Sequence, residues 1–330
     1  MKRSKGTESK AADTKHQGGA EGVKANKTRK SILFIVAVVM IIGGIAGYAI
    51  YRDRMAPFNA IVLEVDGTSI NMRYFLKRIA MSGEPSLTTL QALTKEEIIK
   101  QSATKPPYDI TVSEQEVDQF AREIARGKSK RIDEGEFQEW YRQQLNESRL
   151  SDSEFKDLLK TRLLGLRMSK YLAERVPTIA EQVFVHMFPL QDLATGNAVK
   201  QKLDAGEDFA TLAREYSMDP KLKQNGGVVG WLPRGVLDPG FDKVAFELKI
   251  GKSSAPMFID KHTVVIMMIS DKAAAREIDE QLLSVIKAKA LERWLNEVRS
   301  YHKVIYRGFK NGYDTDTDAW VQWQLQRMKQ

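Results

Sequence analysis

Not one cysteine occurs in the 330 residues. That excludes disulfide staples, a thiolate nucleophile and cysteine-ligated metal. It also suits a chain that folds outside a membrane without an oxidation partner. Histidine is nearly as scarce: His16, His186, His262 and His302 are all there are. They suggest neither a hydrolytic triad nor a metal cluster. Phosphate-binding loops are missing as well, since Gly226-Gly227-x-x-Gly230 is not followed by Lys-Ser/Thr. No cofactor and no metal are implied. Net positive charge is also thin outside one end. Of a net charge of +8, six charges sit in residues 1–30, where nine Lys/Arg face three acids. The remaining two cannot make a broad basic face, so nucleic acid is not an expected partner.

What is present begins with SILFIVAVVMIIGGIAGYAI, twenty uncharged residues at 31–50. A helix rising about 1.5 Å per residue would cross roughly 30 Å with that length, the depth of a bilayer's hydrocarbon core. Lys/Arg precede it and only Arg52 and Arg54 follow soon after. This charge bias predicts a basic cytoplasmic tail (1–30), a lipid-embedded single-pass anchor (31–51) and an extracytoplasmic body at the cell membrane. A cleavable signal peptide is the rival reading, with Gly47-Tyr48-Ala49 as its cleavage site. Its apolar region should be shorter, about 7–15 residues.

The body divides by texture. AIVLEVDGTSI reads as strand, Asp66-Gly67 turn, strand. From there to Val176 the apolar spacing is helical, with Phe75, Leu76 and Ile79 on one stripe and Leu90, Leu93, Ile98 and Ile99 on another. Ser113/Glu116 and Ser151/Glu154 have capping-box spacing. After Pro177 the pattern changes to a strand (VFVHMFP), a helix over 195–216, a glycine-rich block and a closing apolar strand (HTVVIMMIS). A helical run is expected again from Ala273. The fold class expected is α+β.

Four pieces of that middle unit carry a family resemblance: VFVHMFPL, LDAGEDFATLAREYSMDP, NGGVVGWLPRGVLDPGFDKVAFELKIGKSSAP, and the closing strand before Ser270-Asp271-Lys272. In order and spacing, residues 181–272 resemble the parvulin (PpiC-type rotamase) family of peptidyl-prolyl cis/trans isomerases. GTSINMRYF, TVSEQEV and LSDSEFKDLLKTRLL give the flanking helices a looser similarity to the chaperone domain of SurA-like and PrsA-like foldases. The resemblance implies a helical chaperone-like domain (57–176), an inserted parvulin-type isomerase domain (177–272) and a C-terminal helical segment (273–330) packing back on the first. The implied clients are unfolded or exported polypeptides containing X-Pro bonds.

Prolyl isomerisation breaks no covalent bond. Its barrier of about 18–20 kcal/mol is lost amide resonance, so the site needs an apolar seat for the ring and a few polar groups near the carbonyl. The resemblance assigns Val229, Leu237 and Phe241 to the proline pocket, with Phe246 and Phe258 behind them. It puts His186 and Asp219 at the catalytic positions, where Asp219 also reads as a turn residue before Pro220. Ser217 matches a family serine and also suits a helix end. The family's second histidine is replaced by Val264 or Val265, with His262 displaced from it and Ile259 in place of a small hydroxyl residue. A non-catalytic tethered holdase is therefore the alternative reading. The 189–195 loop lacks Lys and Arg, so phosphate is not expected to be read. Asp314-x-Asp316-x-Asp318 has the start of a calcium loop but Ala319 and Leu325 where glycine and glutamate are needed, and reads as a polar helix start. Asn146-Glu147-Ser148 fits a glycosylation sequon, a frequent chance match.

Overall fold

The computed structural model describes residues 21–328, with side chains from residue 36 onward except at 53 and 54. Helix α1 (Glu21–Ile50) continues through a π-helical turn (Tyr51–Met55) into α2 (Ala56–Asn59). Among the described residues no helix is long and apolar enough to cross a membrane. Residues 1–20 of the basic tail, and the side chains of 31–35 where the expected anchor starts, lie outside the described residues.

A hairpin follows, β1 (Ile61–Val65) and β2 (Thr68–Asn71), reversed at Asp66 and Gly67, both at positive φ. Helices α3 (Met72–Ser82), α4 (Ser86–Ala103), α5 (Glu114–Arg126), α6 (Glu134–Ser148) and α7 (Asp152–Glu174) come next. Their starts are set locally. Ser113 and Ser151 accept from the N–H of Glu116 and Glu154, whose carboxylates reach back to the cap N–H, and Asp133/Glu136 forms a third box. Leu63, Phe75, Leu90, Ile98, Phe155 and Met168 make one core there.

The middle unit is a four-stranded antiparallel sheet in the order β4-β3-β6-β5. It contains β3 (Ile179–Leu190), α8 (Leu193–Asp204), α9 (Phe209–Tyr216), α10 (Pro220–Asn225), β4 (Val228–Pro233), α11 (Pro239–Glu247), β5 (Met257–Phe258) and β6 (Val264–Glu277). Side chains alternate across the strands. Phe188, Leu190, Val264 and Ile266 pack with Phe209 and Leu212 of α9 on one face. Val183, Val185, Met267 and Ile269 pack with Ala245 and Phe246 of α11 on the other. Each fully buried large apolar side chain contributes about 1.5–3 kcal/mol.

Strand β6 does not yield to a helix at Ala273; it runs on to Glu277. The reason is long-range pairing: Ile179 lies opposite Glu277 and Ala180 opposite Arg276. Gln182 Nε2 donates to the carbonyls of Arg276 and Glu277 at 3.0 and 2.9 Å. Helix α12 (Glu280–Val298), β7 (Val304–Tyr306) and α13 (Thr315–Met328) close the chain. Trp294, Leu295 and Val321 enter the first core, and β7 pairs with β1 to complete the sheet β2-β1-β7. The helical core is therefore built from both sides of the middle unit. At the start of α13, Asp314 accepts from the Thr317 N–H, Asp316 pairs with Lys310, and Asp318 accepts from the Tyr313 hydroxyl. Trp320 packs edge-on between Phe58 and Phe309, while Trp323 stays half exposed beside Arg327.

Candidate active site

His186 projects from the α9 face of β3. Its ring lies 5.3 Å from Phe184 and 6.1 Å from Phe209, and Nε2 is 2.9 Å from the Ser270 hydroxyl. Two irregularities build this contact. The β3–β4 register shifts between Val185 and His186, and the β3–β6 register between Phe184 and Val185, leaving Ser270 as the extra residue. Such bulges re-aim side chains. Burial lowers the His186 pKa below the ordinary value of 6.5, so the ring is neutral near pH 7. Ser270 and Phe209 were not legible as its partners, because both lie far along the chain.

Asp219 is the N-cap of α10: its Oδ1 accepts from the N–H groups of Lys221 and Leu222 at 2.8 and 2.9 Å. Ser217, buried at the end of α9, accepts from the Asp219 N–H and donates to the Asp219 carbonyl. No hydrogen bond joins Asp219 to His186; each is held by its own turn or strand. The following turn needs glycine twice. Gly226 and Gly227 have φ of 71° and 80°. A Cβ on Gly227 would stand 3.1 Å from the Phe209 ring and 3.2 Å from Ala213. In this way α9 is pressed against the start of β4, and the Gly227 carbonyl accepts from Met187 N–H at 2.8 Å.

Three of the apolar candidates, Leu237, Phe241 and Phe246, occupy the opposite face. Leu237 and Phe241 are half-buried against the Val183/Val185/Met267 cluster, beside Met187 and Met257. Phe246 is 6% exposed and lies under the Arg234 guanidinium, 3.9 Å from its ring centre, so it supports this surface from within. Val229 stands exposed on β4, and Phe258, 54% exposed, on the edge strand β5. His262 belongs to an exposed turn in which Asp260 accepts from the N–H groups of His262 and Thr263. Val264 is fully buried on the His186 face. The structure thus gathers Leu237 and Phe241 on one side of the sheet and sets His186 on the other. Exposed Met218, bonded through its N–H to the Pro189 carbonyl, adds an apolar side chain that sequence reasoning missed.

A second polar constellation lies in the helical part. His302 Nδ1 is 2.6 Å from Asp66 Oδ2, and its Nε2 is 3.3 Å from the Ser102 hydroxyl. Serine, imidazole and carboxylate stand in the order of a hydrolytic triad. Ser102 lies in the last full turn of α4, however, where backbone N–H groups are engaged in helix bonds instead of forming an oxyanion site. The three residues clamp the β1–β2 turn to α4 and to the strand β7.

Comparison with known proteins bears on the middle unit. Residues 193–271 match the family model "Rotamase: PPIC-type PPIASE domain". His186 lies just before the matched residues. The chain is similar to Foldase protein PrsA of Caldanaerobacter subterraneus subsp. tengcongensis, 33% identical over 168 residues, covering 51% of each. It is also similar to Foldase protein PrsA of Geobacillus sp. (strain WCH70), 30% identical over 150 residues, covering 45% of this chain and 48% of the relative. The chain spans about half the length of these curated relatives. A crystal structure of a peptidylprolyl isomerase (PrsA) from Bacillus anthracis aligns with 73% of this chain and 96% of its own, at 19% identity and a TM-score of 0.38. The similarity of the middle unit to the parvulin rotamases is carried by the family match over residues 193–271.

Proposed function

We propose that this chain is a membrane-anchored, extracytoplasmic peptidyl-prolyl cis/trans isomerase and folding chaperone for exported polypeptides. The observation that carries the isomerase reading is the half-buried apolar surface of Met187, Leu237, Phe241 and Met257 within a rotamase-like unit. A proline ring seated there leaves water, and the flanking carbonyl with it. Desolvation favours the twisted amide, whose carbonyl has lost resonance and polarity, over the planar one. His186 and Asp219 act from behind this surface: the first fixes β3 through Ser270, the second fixes the turn into α10. Val229 borders the seat from β4, Phe258 stands at the sheet edge across from Val264, and Ser217 and His262 hold loops.

Helices α3–α7, together with α12 and α13, form the chaperone part and capture unfolded segments. Residues 31–51 are the anchor. Side chains over 36–50 are apolar and exposed all round, Met40 to 74% and Ile45 to 65%, and nothing beyond the helix's own backbone and adjoining residues comes within 4 Å of a Cβ placed at Gly43, Gly44 or Gly47. An unpartnered apolar surface of this kind favours hydrocarbon over water, and the span is completed only by the uncharged residues 31–35 of the sequence. Resistance to alkaline extraction from membranes tests this, and full release into the wash would refute it.

The isomerase reading is tested by a proline-peptide assay on the full chain. Phe241→Ala is expected to lower kcat/KM about tenfold or more through loss of apolar contact, leaving the fold intact. Phe246→Ala should instead destabilise the chain by about 3–5 kcal/mol. A Phe241→Ala variant as active as its parent would remove the ring from the site. One observation favours the holdase alternative: Val264, fully buried, stands where the family's second histidine is expected. Under that reading the chain suppresses client aggregation with no isomerase activity.

A further inference from the structure

The loop that carries Leu237 is held from outside the rotamase-like segment. It runs from the end of β4 to the start of α11, and two contacts from α12 fix it. Lys289 Nζ donates to the Val236 carbonyl at 3.1 Å. The Arg293 guanidinium lies flat against Gly235, where a Cβ would come within 2.6 Å of Nη1 and 2.9 Å of Cζ. Gly235 has a φ of +87°, so the loop meets α12 through the residue that best tolerates both the conformation and the approach. Its N–H donates to Asp242 Oδ1 of α11 at 2.8 Å. Leu282, one turn into α12, packs on the same apolar face as Leu237 and Phe241.

These contacts are narrow. A cavity of about 490 Å³ separates Leu237, Asp238 and Lys243 from Lys289, Arg293 and Glu297. Another of about 350 Å³ lies on the far side of Arg293, against Trp294 and Pro233. The loop is therefore pinned at a few points, not buried along its length. Those points belong to a helix that also supplies Trp294 and Leu295 to the helical core.

We infer that α12 sets the shape of the proline seat, with Lys289 and Arg293 as positioning residues that act through Val236 and Gly235 on Leu237. This rests on the isomerase reading above. It makes the isomerase dependent on the helical part, so any shift of α12 relative to the sheet loosens the wall of the seat.

The test uses the full chain, proline-peptide kinetics, amide hydrogen exchange and thermal melts. Lys289→Met keeps the aliphatic stem and removes the donor. It is expected to raise KM about fivefold with kcat nearly unchanged, because one hydrogen bond's worth of ordering is lost equally from ground and transition states. Exchange at 235–237 should quicken while the melting temperature holds. Lys289→Arg, which keeps a donor, should restore KM, and Arg293→Ala should reproduce the Lys289→Met effect. Unchanged KM and exchange in Lys289→Met and Arg293→Ala would overturn the inference. So would a joint fall of activity and melting temperature that Lys289→Arg does not rescue. An inactive parent chain would overturn the isomerase reading and this inference with it.

Discussion

At the scale of single residues, the polar groups near the candidate site are held by local geometry. Asp219 caps a helix, Ser217 closes the turn before it, and His186 reaches across a bulge to Ser270. The His186 pKa is lowered by burial, so the unfolded chain binds that proton more readily than the folded one. Its contribution to stability is then complete above the ordinary histidine value of about 6.5 and drains away as pH falls through the lowered folded value. Urea unfolding at pH 7 and pH 5 should show a larger acid loss for the parent chain than for His186→Phe. Equal losses would mean that the ring is not held neutral. The aspartate and serine roles were half legible, since Asp-Pro and a serine at a helix end are local turn signals. The Ser270 contact was not, because it depends on where two registers slip.

At the scale of elements, what could be read from sequence was what is decided locally. The capping boxes at Ser113 and Ser151 form because cap and N3 residue are three apart in sequence. The Asp66-Gly67 reversal follows from turn chemistry in the same way. The extension of β6 to Glu277 was hidden, since residues such as Ala273 to Ala275 favour helix and pairing with β3 overrides them. The division of the candidate residues between two sheet faces was equally hidden: alternation tells which residues share a face of one strand, not which helix covers it. The glycine pair joining α10 to β4 is the element most open to test. Gly227→Ala forces an L side chain to φ 80° and pushes a methyl toward Phe209 and the Met187 carbonyl. A loss of about 1–3 kcal/mol is expected in urea denaturation. A neutral result would show that α9 and β4 can separate at no cost.

At the scale of the whole molecule, the chain ends are joined through the helical core. Strand β7 pairs with β1, and His302 bridges Asp66 and Ser102. The His302 hydrogen bond, then the Lys303 N–H, hold the Asp66 carboxyl below its usual range. That contribution is present above pH 4 or so and is lost as pH falls through the lowered value. His302→Ala removes two side-chain hydrogen bonds and should cost about 1–3 kcal/mol, with much of the acid sensitivity of the C-terminal strand going with it. Hydrogen exchange of the 304–306 amides at pH 3 and pH 7 measures this, and identical protection in parent and variant would exclude the clamp. The same architecture gives α12 residues to both the helical core and the apolar face that holds Leu237 and Phe241, so under the proposed function the two activities would share one connected body.

The central claim is that this chain catalyses exchange about X-Pro bonds. NMR exchange spectroscopy on a proline-containing peptide, with and without a catalytic amount of the full chain, measures it most directly. The account predicts cis/trans cross-peaks on a timescale of a second or less, weakened by Phe241→Ala. Exchange that stays at the uncatalysed tens to hundreds of seconds with the chain present would contradict it.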